Sequence, residues 1–295
     1  MTVFKQIKLN FFYLSKKALS HTITVIAAIQ ILGFLCDFSK IYPEVSSFLN
    51  RLMISAVVFA IIWFVMFVMQ CVSLFFKKRE TVIDAGNFHH VYVEYGDLFK
   101  NIEGSRNVVI PANRCFDTLV DNDLISETTI HGMAIKKILD QGYLAENLNK
   151  ALQEDLKNNR QVKPVCRLSR RDKRKGNLER YPVGTIAEFK TGKKDEITYF
   201  FLGMSAFNRD LHPETTDEEY SIAMQSLIKY CNVRSQRIPV YMPIIGTHGR
   251  SNKKSERELL EYMVNILRFN KHLINTDIHI VVYHEHKTTV SIYGL

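Results

Sequence analysis

No Cys-x-x-Cys pair occurs in the sequence; Cys36, Cys71, Cys115, Cys166 and Cys231 are widely scattered. That spacing indicates neither a disulfide framework nor a cysteine zinc site. There is no internal repeat and no low-complexity tract. Charged residues at 23% and aromatics at 11% exclude global disorder, and 295 residues exclude a disulfide-stapled mini-protein. Charge itself is missing from two long stretches, residues 18–36 and 52–76. Each reaches the roughly 20 apolar residues that a helix needs to cross the hydrocarbon core, so the sequence predicts a two-helix transmembrane hairpin. The first stretch is the weaker, because it carries His21, Thr22, Thr24 and Gln30. Without Asp, Glu, Lys or Arg in either span, nothing marks a transport pathway through them.

The net charge of +9 would by itself point to a polyanion. Its distribution points elsewhere. Residues 1–79 hold nine Lys and Arg against two Asp and Glu, leaving the rest nearly balanced. Lys5, Lys8, Lys16 and Lys17 precede the first span, and Lys77, Lys78 and Arg79 follow the second. The positive-inside bias therefore expects a bacterial inner-membrane protein with both termini and everything after residue 79 in the cytoplasm.

Residues 80–90 are expected as a linker, and 91–295 as one α/β domain. Strands are expected at 91–95, 107–110, 162–168, 185–189, 198–204, 240–244, 278–283 and 290–293. Helices are expected near 129–139, 144–158, 217–231 and 256–270. Thr215 with Glu218, and Ser255 with Glu258, have capping-box spacing at the starts of the last two. Such alternation predicts a mixed sheet layered between helices, with ligand loops at strand C-terminal ends.

Two loops follow apolar runs in that way. One begins Val109-Ile110-Pro111-Ala112-Asn113-Arg114-Cys115-Phe116. The other is Ile245-Gly246-Thr247-His248-Gly249-Arg250-Ser251, just before a helix. A glycine-containing loop there can offer backbone N–H groups and a helix dipole to a phosphate, although taken alone it reads first as a tight turn.

The order of several segments resembles macro domains. Val91-Tyr92-Val93-Glu94-Tyr95-Gly96-Asp97-Leu98 is similar to their opening strand and Gly-Asp-Ile signature, and Pro111-Ala112-Asn113 to their Asn-Ala-Ala-Asn strand end. Ile245 to Gly249 is similar to their diphosphate loop, and 278–283 to their closing strand. The stretch from Asn107 through Ile130-His131-Gly132 looks like the macro-type sensor of Thoeris antiphage systems, as does the plan of two spans plus a macro domain. The resemblance implies an ADP-ribose-derived ligand, made from NAD by a partner TIR-domain enzyme. It implies Asp97 and Leu98 at the adenine, and Ala112, Asn113 and Arg114 at the distal ribose. Ile245, Gly246, Thr247, His248, Gly249, Arg250 and Ser251 would then hold the diphosphate.

One departure bears on chemistry. The glycine run that hydrolytic macro domains carry is replaced here by Asp117-Thr118-Leu119-Val120-Asp121-Asn122-Asp123, which makes close backbone approach less easy. The expected function is thus a receptor, not an enzyme, with no catalytic residue, cofactor or metal. It binds its ligand, self-associates into a homo-oligomer and perturbs the membrane. The alternatives are a membrane-tethered ADP-ribosyl hydrolase using the same pocket, and a scaffold that nucleotide merely stabilises. The basic run from Arg167 to Arg180 reads as a solvated hairpin tip; lacking interleaved aromatics, it does not suggest single-stranded nucleic acid. Glu188-Phe189-Lys190 has metal-nuclease spacing without an upstream Asp, and His284 with His286 lacks a third ligand.

Overall fold

The computed structural model describes residues 2–35, 48–100, 104–159, 162–192, 196–247 and 254–295. The chain divides into two compact units, residues 1–78 and 79–293.

In the first unit, α1 (Thr2–Leu35) and α2 (Phe48–Phe76) pack together, with Phe11 edge-on to Phe67 at 5.7 Å and Trp63 stacked on Phe67 at 5.5 Å. The α2 segment Leu52–Phe76 is long and apolar enough to cross a membrane, and among the described residues it is the one helix that is. The first expected span lies instead in the C-terminal half of α1, a continuous helix of 34 residues. The polar and basic N-terminal half keeps helical periodicity, so no break sets the apolar part apart.

The second unit is built on β1 (Arg79–Asp84), β2 (His90–Gly96), β3 (Arg106–Asn113), β4 (Cys166–Arg167), β5 (Glu179–Arg180), β6 (Ile186–Thr191), β7 (Ile197–Phe207), β8 (Pro213–Glu214), β9 (Val240–Pro243) and β10 (Ile278–Tyr283). Its helices are α3 (Ile130–Leu139), α4 (Ala145–Asn158), α5 (Asp217–Arg234) and α6 (Glu256–Phe269). The main sheet runs β1-β2-β10-β9-β3-β7-β6, with β8 paired to β7; β4 and β5 form a separate hairpin. Five strands, β2, β10, β9, β3 and β7, are parallel, and antiparallel β1 and β6 close the two edges. All five parallel strands therefore end on one rim.

One face of the sheet buries Val108, Ile110 and Phe201 against Ile135 and Ile138 of α3 and Leu148, Leu152 and Leu156 of α4. The leucines recur every four residues, the spacing of one helical face, and each contributes about 1.5–3 kcal/mol by leaving water. The opposite face carries Phe200, whose ring meets Tyr230 of α5 at 5.4 Å.

Several boundaries differ from expectation; the strand expected at 162–168 forms only at Cys166–Arg167. Residues 79–84, expected to fall largely in the linker, form β1, an edge strand with one fully buried side chain, Ile83. The apolar stretch 290–293 is buried but makes no strand; Arg257 Nη1 donates to the carbonyls of Ser291 at 2.7 Å and Tyr293 at 3.1 Å instead. The capping box of α5 uses Thr216 and Glu219, one residue later than Thr215 and Glu218, whereas Ser255 and Glu258 cap α6 as expected.

Candidate functional site

A cavity of about 270 Å³ opens where β3, β7 and β9 end. Its walls come from Ala112 and Asn113, from Ser205 and Phe207, from Gly246 and Thr247, and from the segment between Asn122 and His131.

The β3 end is shaped by a register shift against β7 at Ala112/Asn113. Asn113 Oδ1 accepts from the Cys115 N–H at 3.0 Å, and the Phe116 N–H donates to the Asn113 carbonyl at 3.0 Å. Phe116 consequently adopts φ 53°, a left-handed conformation costly for a bulky side chain, and is held there by complete burial. The Asn113 side chain is 3% exposed, and its Nδ2 has no hydrogen-bond partner. A buried amide with an unused donor is a group ready for a ligand acceptor.

The segment from Asp117 to Thr129 folds on its own side chains. Asp121 Oδ1 accepts from the N–H groups of Asp123 and Leu124, and Asn122 Oδ1 from that of Glu127. Thr129 caps α3 by accepting from the Gly132 N–H at 3.1 Å. A Cβ on Gly132 would lie 2.2 Å from the Ser126 carbonyl oxygen, so the return of this segment onto α3 requires glycine there. Next to it, His131 is 7% exposed and lies edge-on to Phe201. Burial lowers its pKa to about 4, and the Asp117 carbonyl accepts its ring N–H. Nε2 has no partner, so the neutral ring carries its proton on Nδ1 and leaves Nε2 as an acceptor.

The residues singled out in the sequence divide into three groups. Ala112, Asn113, Gly246 and Thr247 line the cavity. Ile245 is buried behind it, its carbonyl accepting from Tyr220 Oη at 3.0 Å and its N–H meeting Met263 Sδ at 3.3 Å. Asp97, Leu98 and Arg114 do not line it. Asp97 is exposed just past the end of β2 and accepts from the Phe99 N–H, while Leu98 is buried in the core. Arg114 donates from Nε to the Tyr181 carbonyl at 2.8 Å and pairs with Glu219 at 3.0 Å, tying the β3 end to the start of α5. His248, Gly249, Arg250 and Ser251 lie outside the described residues.

The basic run is not a wholly solvated tip. Lys173 is 0% exposed, and its Nζ donates to Asp117 Oδ2 at 2.5 Å and to the Asn177 carbonyl at 2.8 Å. Arg174 pairs with Asp123 at 2.5 Å and Lys175 with Asp121, whose carboxyl is thereby lowered to about 2. The acidic segment and the basic run, far apart in sequence, are partners. Glu188 is likewise taken, by Tyr230 Oη at 2.8 Å and Arg234 at 3.0 and 3.1 Å, and Lys190 pairs with Glu196. His286 Nδ1 meets Glu256 at 2.7 Å. Among the described residues no group of three His, Cys, Asp or Glu could hold a metal.

A mixed sheet with five parallel strands, helices on both faces and a cavity at the strand ends defines a macro-like α/β domain. Residues 91–283 match the family model for the macro domain of Thoeris protein ThsA. The chain belongs to that family. It is similar to Thoeris protein ThsA of Bacillus amyloliquefaciens (strain Y2), 25% identical over 210 residues that make up 70% of this chain and 65% of that protein. The match thus spans just under two thirds of that curated relative. Among solved structures, it is similar to an Oceanobacillus iheyensis macrodomain variant with ADPR (16% identity, 73% of this chain and 94% of that one, TM-score 0.40). It is also similar to the macrodomain from the same organism with ADP (17% identity, 73% and 92%, TM-score 0.40).

Proposed function

We propose that this chain is a membrane-anchored receptor and effector of antiphage defence. In this reading its macro-like domain binds an ADP-ribose-derived nucleotide that a TIR-domain enzyme makes from NAD. The observation that carries the reading is the cavity at the parallel-strand ends, holding the unpaired amide of Asn113, in a chain of the Thoeris macro-domain family. Asn113 and Ala112 serve the distal ribose side, and the loop from Ile245 to Ser251 the diphosphate. Asp97 and Leu98 take the adenine at the end of β2, which β10 separates from β9, and Arg114 braces the ribose side through Glu219. No reaction is assigned to the site. The apolar Leu52–Phe76 helix supports anchoring in the bacterial inner membrane, with 18–36 as the second span and both termini cytoplasmic. Ligand binding favours a homo-oligomer in which the spans disrupt the membrane. Ligand can drive that change only by binding the assembled state more tightly than the resting one.

Calorimetric titration of the purified protein with ADP-ribose, followed by chromatography of the ligand, tests the first step. Heat of binding, lost in Asn113→Ala, with ADP-ribose recovered intact, is the expected result. No heat at high ligand concentration removes the receptor reading. Turnover of an ADP-ribosyl linkage that Asn113→Ala abolishes would put a membrane-tethered hydrolase in its place.

A further inference from the structure

The Lys173–Asp117 pair is fully buried, yet none of the receptor's expected contacts uses it. Its surroundings are built closely. The Asn177 N–H donates to Asp117 Oδ1 at 2.6 Å, so two donors from one hairpin tip, this N–H and Lys173 Nζ, converge on the carboxylate. Burial pushes the Asp117 carboxyl up, while Lys173 and the Asn177 N–H favour its ionised form. Gly176, at φ +83°, makes room: a Cβ there would lie 2.2 Å from Asp117 Oδ1. Asn177 Nδ2 then donates to the carbonyls of Cys115 at 3.2 Å and Phe116 at 3.1 Å, and to Asn149 Oδ1 at 2.9 Å.

The two polar groups left unpaired at the cavity, Asn113 and His131, both lead back to Asp117. Asn113 Oδ1 accepts from Cys115 in the turn whose Cys115 and Phe116 carbonyls Asn177 holds, and His131 donates to the Asp117 carbonyl. We infer that Lys173 and Asp117 are positioning residues for the ligand cavity. Inserted from the basic hairpin, Lys173 fixes the carboxylate, and the carboxylate holds Asn177 against the Cys115–Phe116 turn that positions Asn113 and the 117–131 wall. Arg174 and Lys175 extend the same clasp outward, onto Asp123 and Asp121. This inference rests on the reading of the cavity as a ligand pocket.

The test compares full-length protein in detergent with Lys173→Met, Asp117→Asn and Arg234→Gln. The last breaks the Glu188 pair on α5 and serves as a stability control away from the cavity. Each protein is followed by amide hydrogen exchange, thermal unfolding and titration with ADP-ribose. Lys173→Met and Asp117→Asn are expected to speed exchange specifically at 115–131 and to weaken ADP-ribose about tenfold, the size of one coupled buried contact. Arg234→Gln is expected to lower the melting temperature without either effect. The inference is overturned if both cavity variants exchange like wild type at 115–131, or if the control changes exchange there equally. Should wild type bind no ADP-ribose, the receptor reading fails while the exchange measurement still decides the positioning role. Where Lys173→Met does not fold, Asp117→Asn carries the measurement, because it keeps shape and one acceptor oxygen.

Discussion

Acidifying the protein from about pH 7 to about pH 5 perturbs His131, and the structure gives that perturbation a size. The folded protein keeps the ring neutral down to about pH 4, whereas the unfolded chain takes up the proton near the ordinary value of 6.5. Below 6.5 the unfolded state therefore binds more protons, and stability falls as the pH falls. The contribution is complete above about pH 6.5 and is lost progressively toward pH 4. At about 1.4 kcal/mol per unit the whole shift corresponds to about 3 kcal/mol, of which about 2 kcal/mol disappears between pH 7 and 5. Urea unfolding of full-length protein, followed by circular dichroism across this range, measures the loss. Carboxylates add slopes of their own, so the informative quantity is the difference from His131→Gln, which keeps a donor for the Asp117 carbonyl but cannot titrate. Wild type is expected to lose about 2 kcal/mol more than the variant over the two units. Equal slopes for the two proteins would refute the claim that burial holds this ring neutral.

Gly132→Ala forces a Cβ into the Ser126 carbonyl, and should cost about 1–3 kcal/mol and lower the melting temperature while disturbing the cavity wall. Glu188→Ala leaves Tyr230 without its acceptor and Arg234 without its counter-charge; chemical denaturation should show a loss of about 1–3 kcal/mol. A double-mutant cycle of Arg114→Ala with Glu219→Ala should return a coupling of about 1 kcal/mol, and additivity would show that the pair does not brace β3 against α5.

Strand and helix positions were legible wherever burial left an apolar run. Val108 to Ala112 and Ile278 to Tyr283 announce themselves, because a parallel strand covered on both faces has little room for polar residues. The edge strand β1 was hidden because Arg79, Glu80 and Thr81 suit an edge and also suit a linker. Residues 290–293 misled in the opposite way, since burial made them apolar while a guanidinium, not a neighbouring strand, satisfies their carbonyls. Thr215-Thr216-Asp217-Glu218-Glu219 offers two overlapping Thr-x-x-Glu frames, and only backbone geometry selects the second. At the site, Asn113 and the Gly246-Thr247 turn were readable from their place after apolar runs. The Lys173–Asp117 pair was not, because no local pattern reports a partner 56 residues away. No local pattern singles out His131 either; its isolation from water depends on a helix and a strand that the chain brings together from afar.

The position of β10 sets the order in which this domain can be made. It lies between β2 and β9, so Val91 pairs with Ile278 and Val240 pairs with the same residue from the other side. A ribosome delivers β2 long before β10, and until then the sheet has an open slot where β10 belongs. Two flanking strands wait with unpaired backbone edges and uncovered apolar side chains. The apolar helix 52–76 is meanwhile already synthesised. During each round of synthesis, then, the sheet stays incomplete until residues 278–283 arrive, and aggregation or premature capture is a hazard of that interval.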